Sequence, residues 1–160
     1  KKWPFPYDAH TVQHHRFYTS DHILITNARE LFVVMFPWFV ILGFTIVAQP
    51  IFYFSFSFLM SPDIGHIIAG SAASYFLLYE FVHTSNHLPL TSMVFYIPGM
   101  KAMRKHHLIH HNPKLMGQYN MGIVFPFCDY IFGSKWKECE SMLPKDNISD
   151  HFQNLESFSK

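Results

Sequence analysis

No charged side chain occurs between Leu31 and Pro62, a run of about 32 residues. A bilayer core of about 30 Å takes only about 20 helical residues, so the run is too long for one straight span. Pro50, after Gln49, has no amide donor and restrains the residue before it, which makes it the expected break. One transmembrane helix is therefore expected over about 31–49, with Pro37 as a kink inside it. The Phe–Ser alternation from Phe52 to Phe58 reads as an interfacial or re-entrant connection. A second span is expected over about 64–82, where Gly70, Ser71, Ala72, Ala73 and Ser74 are the small residues that let membrane helices approach closely. Composition agrees: the chain is 49% hydrophobic and 14% charged, with 18 Phe, and its apolar residues are concentrated in these runs.

Two crossings return the chain to its starting side, so residues 1–30 and 83–160 are expected to share one face of the membrane. The turn carries only Asp63, while the flanks carry Lys1, Lys2, Arg16, Arg29, Lys101, Arg104 and Lys105. Positive flanks stay inside, which makes that face cytoplasmic: at the endoplasmic reticulum of a eukaryote or the inner membrane of a bacterium.

Three histidine groups fall on that face. Lys105–His111 holds four histidines, and His107, His110 and His111 have the i, i+3, i+4 spacing of one helical face. His106 with His110 is an equally helical pair, and spacing alone leaves both open. His10 and His14 are four apart, with His15 about 100° further round a helix. His83 and His87 are again four apart, at the expected membrane boundary, where an ionisable residue is a functional candidate. Eight imidazoles exceed the needs of one tetrahedral ion and suit two ions of higher coordination. Imidazole accepts zinc, copper, iron or nickel alike, so the ligands do not name the metal. Glu80-x2-His83 matches half of a carboxylate-bridged di-iron motif, but no second copy accompanies it. Glu80 reads instead as a carboxylate that orients an imidazole or as a structural hydrogen-bonding group.

The remaining features exclude several classes. A net charge of +1 without a broad basic patch argues against nucleic acid. Cys128 and Cys139 form no CxxC, there is no Gly-rich dinucleotide fingerprint, and residues 1–30 do not read as a signal peptide. His66 opens the second expected span, about 25 Å from His83, and reads as an interfacial or packing residue. His22 stands alone in a polar stretch and reads as structural. Asn147-Ile148-Ser149 is a formal glycosylation sequon that a cytoplasmic tail would leave unused.

His10-x3-His14-His15, a hydrophobic hairpin, Tyr79-Glu80-x2-His83-x3-His87 and His106-His107-x2-His110-His111, followed by Asn120-x-Gly122, Pro126, Asp129 and Phe132-Gly133-Ser134, resemble the fatty acid hydroxylase and sterol desaturase superfamily. The resemblance spans about 7–135 of the chain. It implies an all-α integral membrane fold, a transmembrane helical hairpin bearing a cytoplasmic helical cap with the histidines, in one domain over 1–160. Cap segments 1–30 and 83–135 and a tail over 136–160 follow from that reading.

The resemblance also implies that His10, His14, His15, His83, His87, His107, His110 and His111 hold two iron ions, with zinc possible as purified. It favours His107 over His106 as ligand and leaves His106, Glu80, Asn120 and Asp129, with Asn112, as neighbours of the ligands. By themselves Asn112 and Asn120 are turn residues beside Pro113 and Gly122. The implied reaction uses O2 and external electrons, from cytochrome b5, ferredoxin or a reductase, to hydroxylate or desaturate a lipid acyl chain or sterol. Carotenoid hydroxylation is the neighbouring alternative, and a non-catalytic membrane metal-binding or transport protein the alternative of another class. One departure stands out: the family's first H-x3/4-H motif has no counterpart, so the chain is expected to lack an N-terminal portion and to bind metal poorly.

Overall fold

The computed structural model describes residues 8–136. Lys1, Lys2, Cys139, the Asn147 sequon and nearly all of the expected tail lie outside the described residues. Among the described residues there is no strand, only an isolated bridge between Thr19 and His22.

The first helix, α1, begins as a π-helix over Asp8–His14 and ends in a short α-turn, His15–Phe17. An irregular strap follows, up to a 3-10 turn at Ala28–Glu30 that Asn27 caps by accepting the Arg29 amide (3.0 Å). A single turn, α2 (Leu31–Val34), stops where Met35 becomes extended. The long apolar helix α3 then runs over Trp38–Leu59 with Pro37, also extended, as its N-cap.

These boundaries correct the expected span of 31–49. Pro37 is the break and not a kink, because its fixed φ suits a helix start and its missing donor costs nothing there. Pro50 lies inside continuous helix: Phe44–Ala48, just before it, is π-helical. An i→i+5 stretch lets the chain absorb a residue that can neither donate to the preceding turn nor clear its carbonyl. The Phe52–Phe58 alternation is correspondingly helical, within Gln49–Leu59, and not a re-entrant connection.

A tight turn at Met60 and Ser61 leads into α4 (Pro62–Ser85), with Pro62 in the first turn and Ser61 Oγ accepting the Ile64 amide (3.3 Å). So short a link makes α3 and α4 antiparallel neighbours. Their close approach falls at Gly65, where a Cβ would stand 2.7 Å from the Tyr53 carbonyl oxygen and collide with Ser57 Oγ. Within the small-residue stretch expected to serve this purpose, Gly70 does not, since a Cβ there would meet open space. After α4, a loop with one 3-10 turn leads to α5 (Met100–His110), started by Gly99 at φ +89°, and a final short helix α6 (Phe127–Ile131).

The polarity of the molecule is inverted at its hairpin. Trp38–Leu59 is long and apolar enough to cross a membrane, and none of its residues is buried. Phe32, Trp38, Phe54 and Phe58 are 67–89% exposed, whereas His14, His83, His87, His107 and His111 are at most 2% exposed. Outside the histidines, the cap closes over a small aliphatic cluster of Ile23, Leu108, Ile109 and Leu115, with Tyr119 and Trp136 packed against it.

Candidate metal centre

Burying five imidazoles is costly unless each nitrogen finds a partner. α1 contributes His14, the end of α4 contributes His83 and the following turn His87, and α5 contributes His107 with His111 as its C-cap. One nitrogen from each of these five lies within 4.8 Å of all the others. A second group, with the same mutual limit, consists of His10, His15 and His110. The groups adjoin: the His15 and His111 rings stack with centroids 4.4 Å apart, and those of His10 and His14 at 5.2 Å.

The division does not follow the sequence groups. His10 meets His15, Nε2 to Nε2 at 3.1 Å, and not the first group with His14. The cause is the π-helix, whose i→i+5 periodicity brings residues five apart onto one side. On α5, His107 and His111 share the five-membered group while His110 faces the other, so the three do not converge on one point. At 100° per residue, His107 lies between its two partners, about 60° from His110 and 40° from His111.

The proton positions follow from backbone acceptors. His14 Nδ1 donates to the Val33 carbonyl (3.1 Å), His87 Nδ1 to Ile23 (2.8 Å) and His111 Nδ1 to Tyr18 (2.8 Å). A carbonyl only accepts, so these Nδ1 atoms carry the proton and each Nε2 of the neutral ring is a bare lone pair. All three carbonyls belong to the stretch 18–33, the strap and its exit. Yet His14 Nε2 lies 3.2 Å from His111 Nε2 and 3.2 Å from His83 Nε2, and His107 Nε2 lies 3.0 Å from His87 Nε2.

Protonation does not relieve the crowding. Burial, with His87 beside it, pushes the His14 pKa down to about 2, and burial brings His87 and His110 to about 3 and His15 to about 4. His107 and His111 are held well below the usual imidazole range by burial and by neighbouring histidines. Between His14 and His111, both held as Nδ1–H tautomers, two bare Nε2 lone pairs face each other with no proton between them, which fits a cation. Two nitrogens each about 2.1 Å from one ion, at roughly 90–110°, stand about 3.0–3.4 Å apart, which matches the observed contacts. The buried histidines can therefore hold metal. His10, His15 and His110 form a smaller set of three, and both groups hold ring nitrogens buried without hydrogen-bond partners: Nδ1 of His83 and of His107 in the first, Nδ1 of His15 and both nitrogens of His110 in the second.

The other expected site residues sit close by in different roles. His106 turns away from the centre, its Nε2 3.2 Å from Asp129 Oδ2. Asn120, at φ 54°, donates from Nδ2 to the His106 carbonyl (3.2 Å) and accepts the Trp136 amide (3.0 Å). Asp129 accepts from the Met121 and Gly122 amides and from Ser134 Oγ, at 2.6–2.9 Å. Asn112 behaves as a turn residue, accepting the Lys114 amide (3.0 Å). Glu80 accepts the Phe36 amide at the break before α3 (3.3 Å), a structural contact. His66 Nδ1 bonds the Pro62 carbonyl (2.8 Å), and His66 and His22 lie outside both groups.

Residue reading missed the strap. Glu30, 9% exposed, accepts from Thr26 N (2.7 Å), Thr26 Oγ1 (2.6 Å), Asn27 Nδ2 (2.6 Å) and Tyr18 OH (3.3 Å). It clasps the two ends of the segment whose carbonyls orient the rings. Only its position next to an apolar run marked it in the sequence.

No family model matches the chain, and no curated protein or solved structure is significantly similar to it. What the site can do is accordingly argued from its own geometry. A cavity of about 70 Å³ opens beside it, lined by His10, His14, His83, Val33, Phe36 and Tyr79.

Proposed function

We propose that this chain is a membrane-bound di-iron oxygenase that hydroxylates or desaturates a lipid at an unactivated C–H bond, using O2 and electrons from an external donor such as cytochrome b5, ferredoxin or a reductase. The observation that carries the reading is the pair of adjoining imidazole groups at the end of an apolar hairpin, with bare Nε2 lone pairs facing one another. His14, His83, His87, His107 and His111 would hold one ion, and His10, His15 and His110 the other. The metals supply O2 reduction and C–H cleavage, while the protein supplies binding and orientation.

The chain's own residues do the rest. Carbonyls of Tyr18, Ile23 and Val33 keep three imidazoles in the ligating tautomer. Phe36, stacked with Phe76 and Tyr79 at 5.8 and 5.5 Å, gives the cavity an apolar wall. About 70 Å³ takes a diatomic molecule and not an acyl chain, so a lipid must displace the Met35–Pro37 break to reach the histidines. A centre at the membrane boundary lets that lipid arrive without crossing water.

An imidazole-only donor set suits zinc equally, which keeps a second reading: a non-catalytic membrane metal-binding or transport protein. Expression in a host membrane, metal analysis of the purified chain and comparison of host lipids separate the two. Iron together with a new hydroxylated or desaturated acyl, sterol or carotenoid product supports the oxygenase. Metal bound with an unchanged lipid profile, in the presence of a competent electron donor, removes it.

A further inference from the structure

Every exposed side chain between Met121 and Phe132 is large and apolar: Met121, Phe125, Phe127, Tyr130, Ile131 and Phe132 are 47–80% exposed. The segment's single charge, Asp129, is turned inward and 1% exposed. This is the reverse of a surface turn in water, where the carboxylate would face out. The location explains the inversion. Phe125 packs beside Tyr75 of α4, with ring centroids 6.2 Å apart. Tyr75 stands eight residues before His83, or about 12 Å back along the hairpin from the metal centre. A segment that touches α4 there reaches beside the apolar body of the hairpin, while Asp129, 3.2 Å from His106 Nε2, ties its inner side to the cap.

We propose that residues 121–132 form a hook that dips into the bilayer beside α4 and seats the cap on the lipid surface. The inference rests on the membrane-spanning reading of the hairpin. Two further observations point to lipid as the occupant. Backbone amides in hydrocarbon must be satisfied within the protein, and Asp129 does this for Met121 and Gly122 (both 2.9 Å) while the Phe132 amide bonds the Cys128 carbonyl (2.9 Å). Lys135 places its ammonium 3.6 Å over the Tyr130 ring at the edge of the patch, as a cation does when its stem covers apolar surface and its head reaches the headgroups. The patch is also continuous with exposed Tyr75 and Leu78 of α4, so a bilayer covers both in one surface.

The test uses the full chain in phospholipid nanodiscs. Nitroxide labels are attached in a Cys128→Ser, Cys139→Ser background at Phe127→Cys, Phe132→Cys, Phe54→Cys of α3 and Lys114→Cys of the cap. Collision with O2 reports lipid, and collision with a water-soluble nickel chelate reports water. The expected result is lipid-type accessibility at 54, 127 and 132 and water-type accessibility at 114. Water-type labels at 127 and 132 beside a lipid-type label at 54 overturn the hook alone, whereas a water-type label at 54 overturns the hairpin reading and the hook with it. A label protected from both probes at 127 and 132 means that protein, such as a second copy of the chain, covers the patch, and also overturns the proposal. Hydroxyl-radical footprinting of the unsubstituted chain guards against misfolded variants: Phe127, Tyr130 and Phe132 should react as slowly as Phe54, and fast reaction at these three counts against the hook.

Discussion

The Nε2 atoms of His14 and His111 stand 3.2 Å apart although each ring has given its one proton to a backbone carbonyl, Val33 and Tyr18 respectively. Two lone pairs aimed at one another in a buried space have no reason to be there without a cation between them.

Removing a ligand from either group should change metal stoichiometry differently. His111→Ala is expected to empty the five-membered group, while His110→Ala, on the same helix, should weaken only the His10–His15 side and leave the five-membered group loaded. His66→Ala should leave metal content unchanged. Elemental analysis after dialysis reads all three, and equal loss from His110→Ala and His111→Ala would count against two distinct groups.

Glu30 hydrogen-bonds none of the clustered imidazoles but clasps the strap that carries their acceptors. Glu30→Gln replaces one accepting oxygen with a donor and should loosen Thr26 and Asn27. Outer partners of metal ligands typically matter about 10–100-fold in affinity, and about tenfold weakening is expected here. A competition titration with a chelator measures it, and altered His111 Nδ1–H resonances in the unloaded protein would place the effect at the tautomer.

Without metal, the centre should be acid-sensitive. The buried histidines stay neutral when folded, with pKa values of about 2 to 4 for His14, His15, His87 and His110. An unfolded chain takes up these protons near pH 6.5, so it binds more protons than the folded one between those values. Stability is therefore complete above about pH 6.5 and falls as pH drops below it, by at most about 1.4 kcal/mol per pH unit for each histidine. Denaturant titrations of the metal-free chain at pH 7.5 and 5.5 check the sign, and bound metal should flatten the dependence.

Gly122 has no room for a side chain: a Cβ there would lie 2.7 Å from the Phe125 carbonyl oxygen and 2.9 Å from Asp129 Oδ2. Gly122→Ala must move the Asp129 clasp and should destabilise the chain by about 1–3 kcal/mol. Gly70→Ala, where the space is open, should be neutral, and thermal melts in one detergent compare the two.

The sequence determined the composition of the centre and the apolar run beside it. Spacings of three and four residues mark histidines that share helical sides, and a charge-free run marks a helix that water does not favour. Which imidazoles meet was decided in three dimensions. His10 pairs with His15 because a π-helix, with no sequence signature of its own here, changes the periodicity of α1. Pro37 and not Pro50 ended the helix because a π-turn before Pro50 made it tolerable, and two prolines are alike in sequence. Glu80 capped a chain break, and backbone carbonyls of a strap fixed the tautomers. Local pattern encodes which side chains lie on one face of one element; the pairing of faces from four segments depends on backbone geometry and acceptor placement, which only the folded chain brings together.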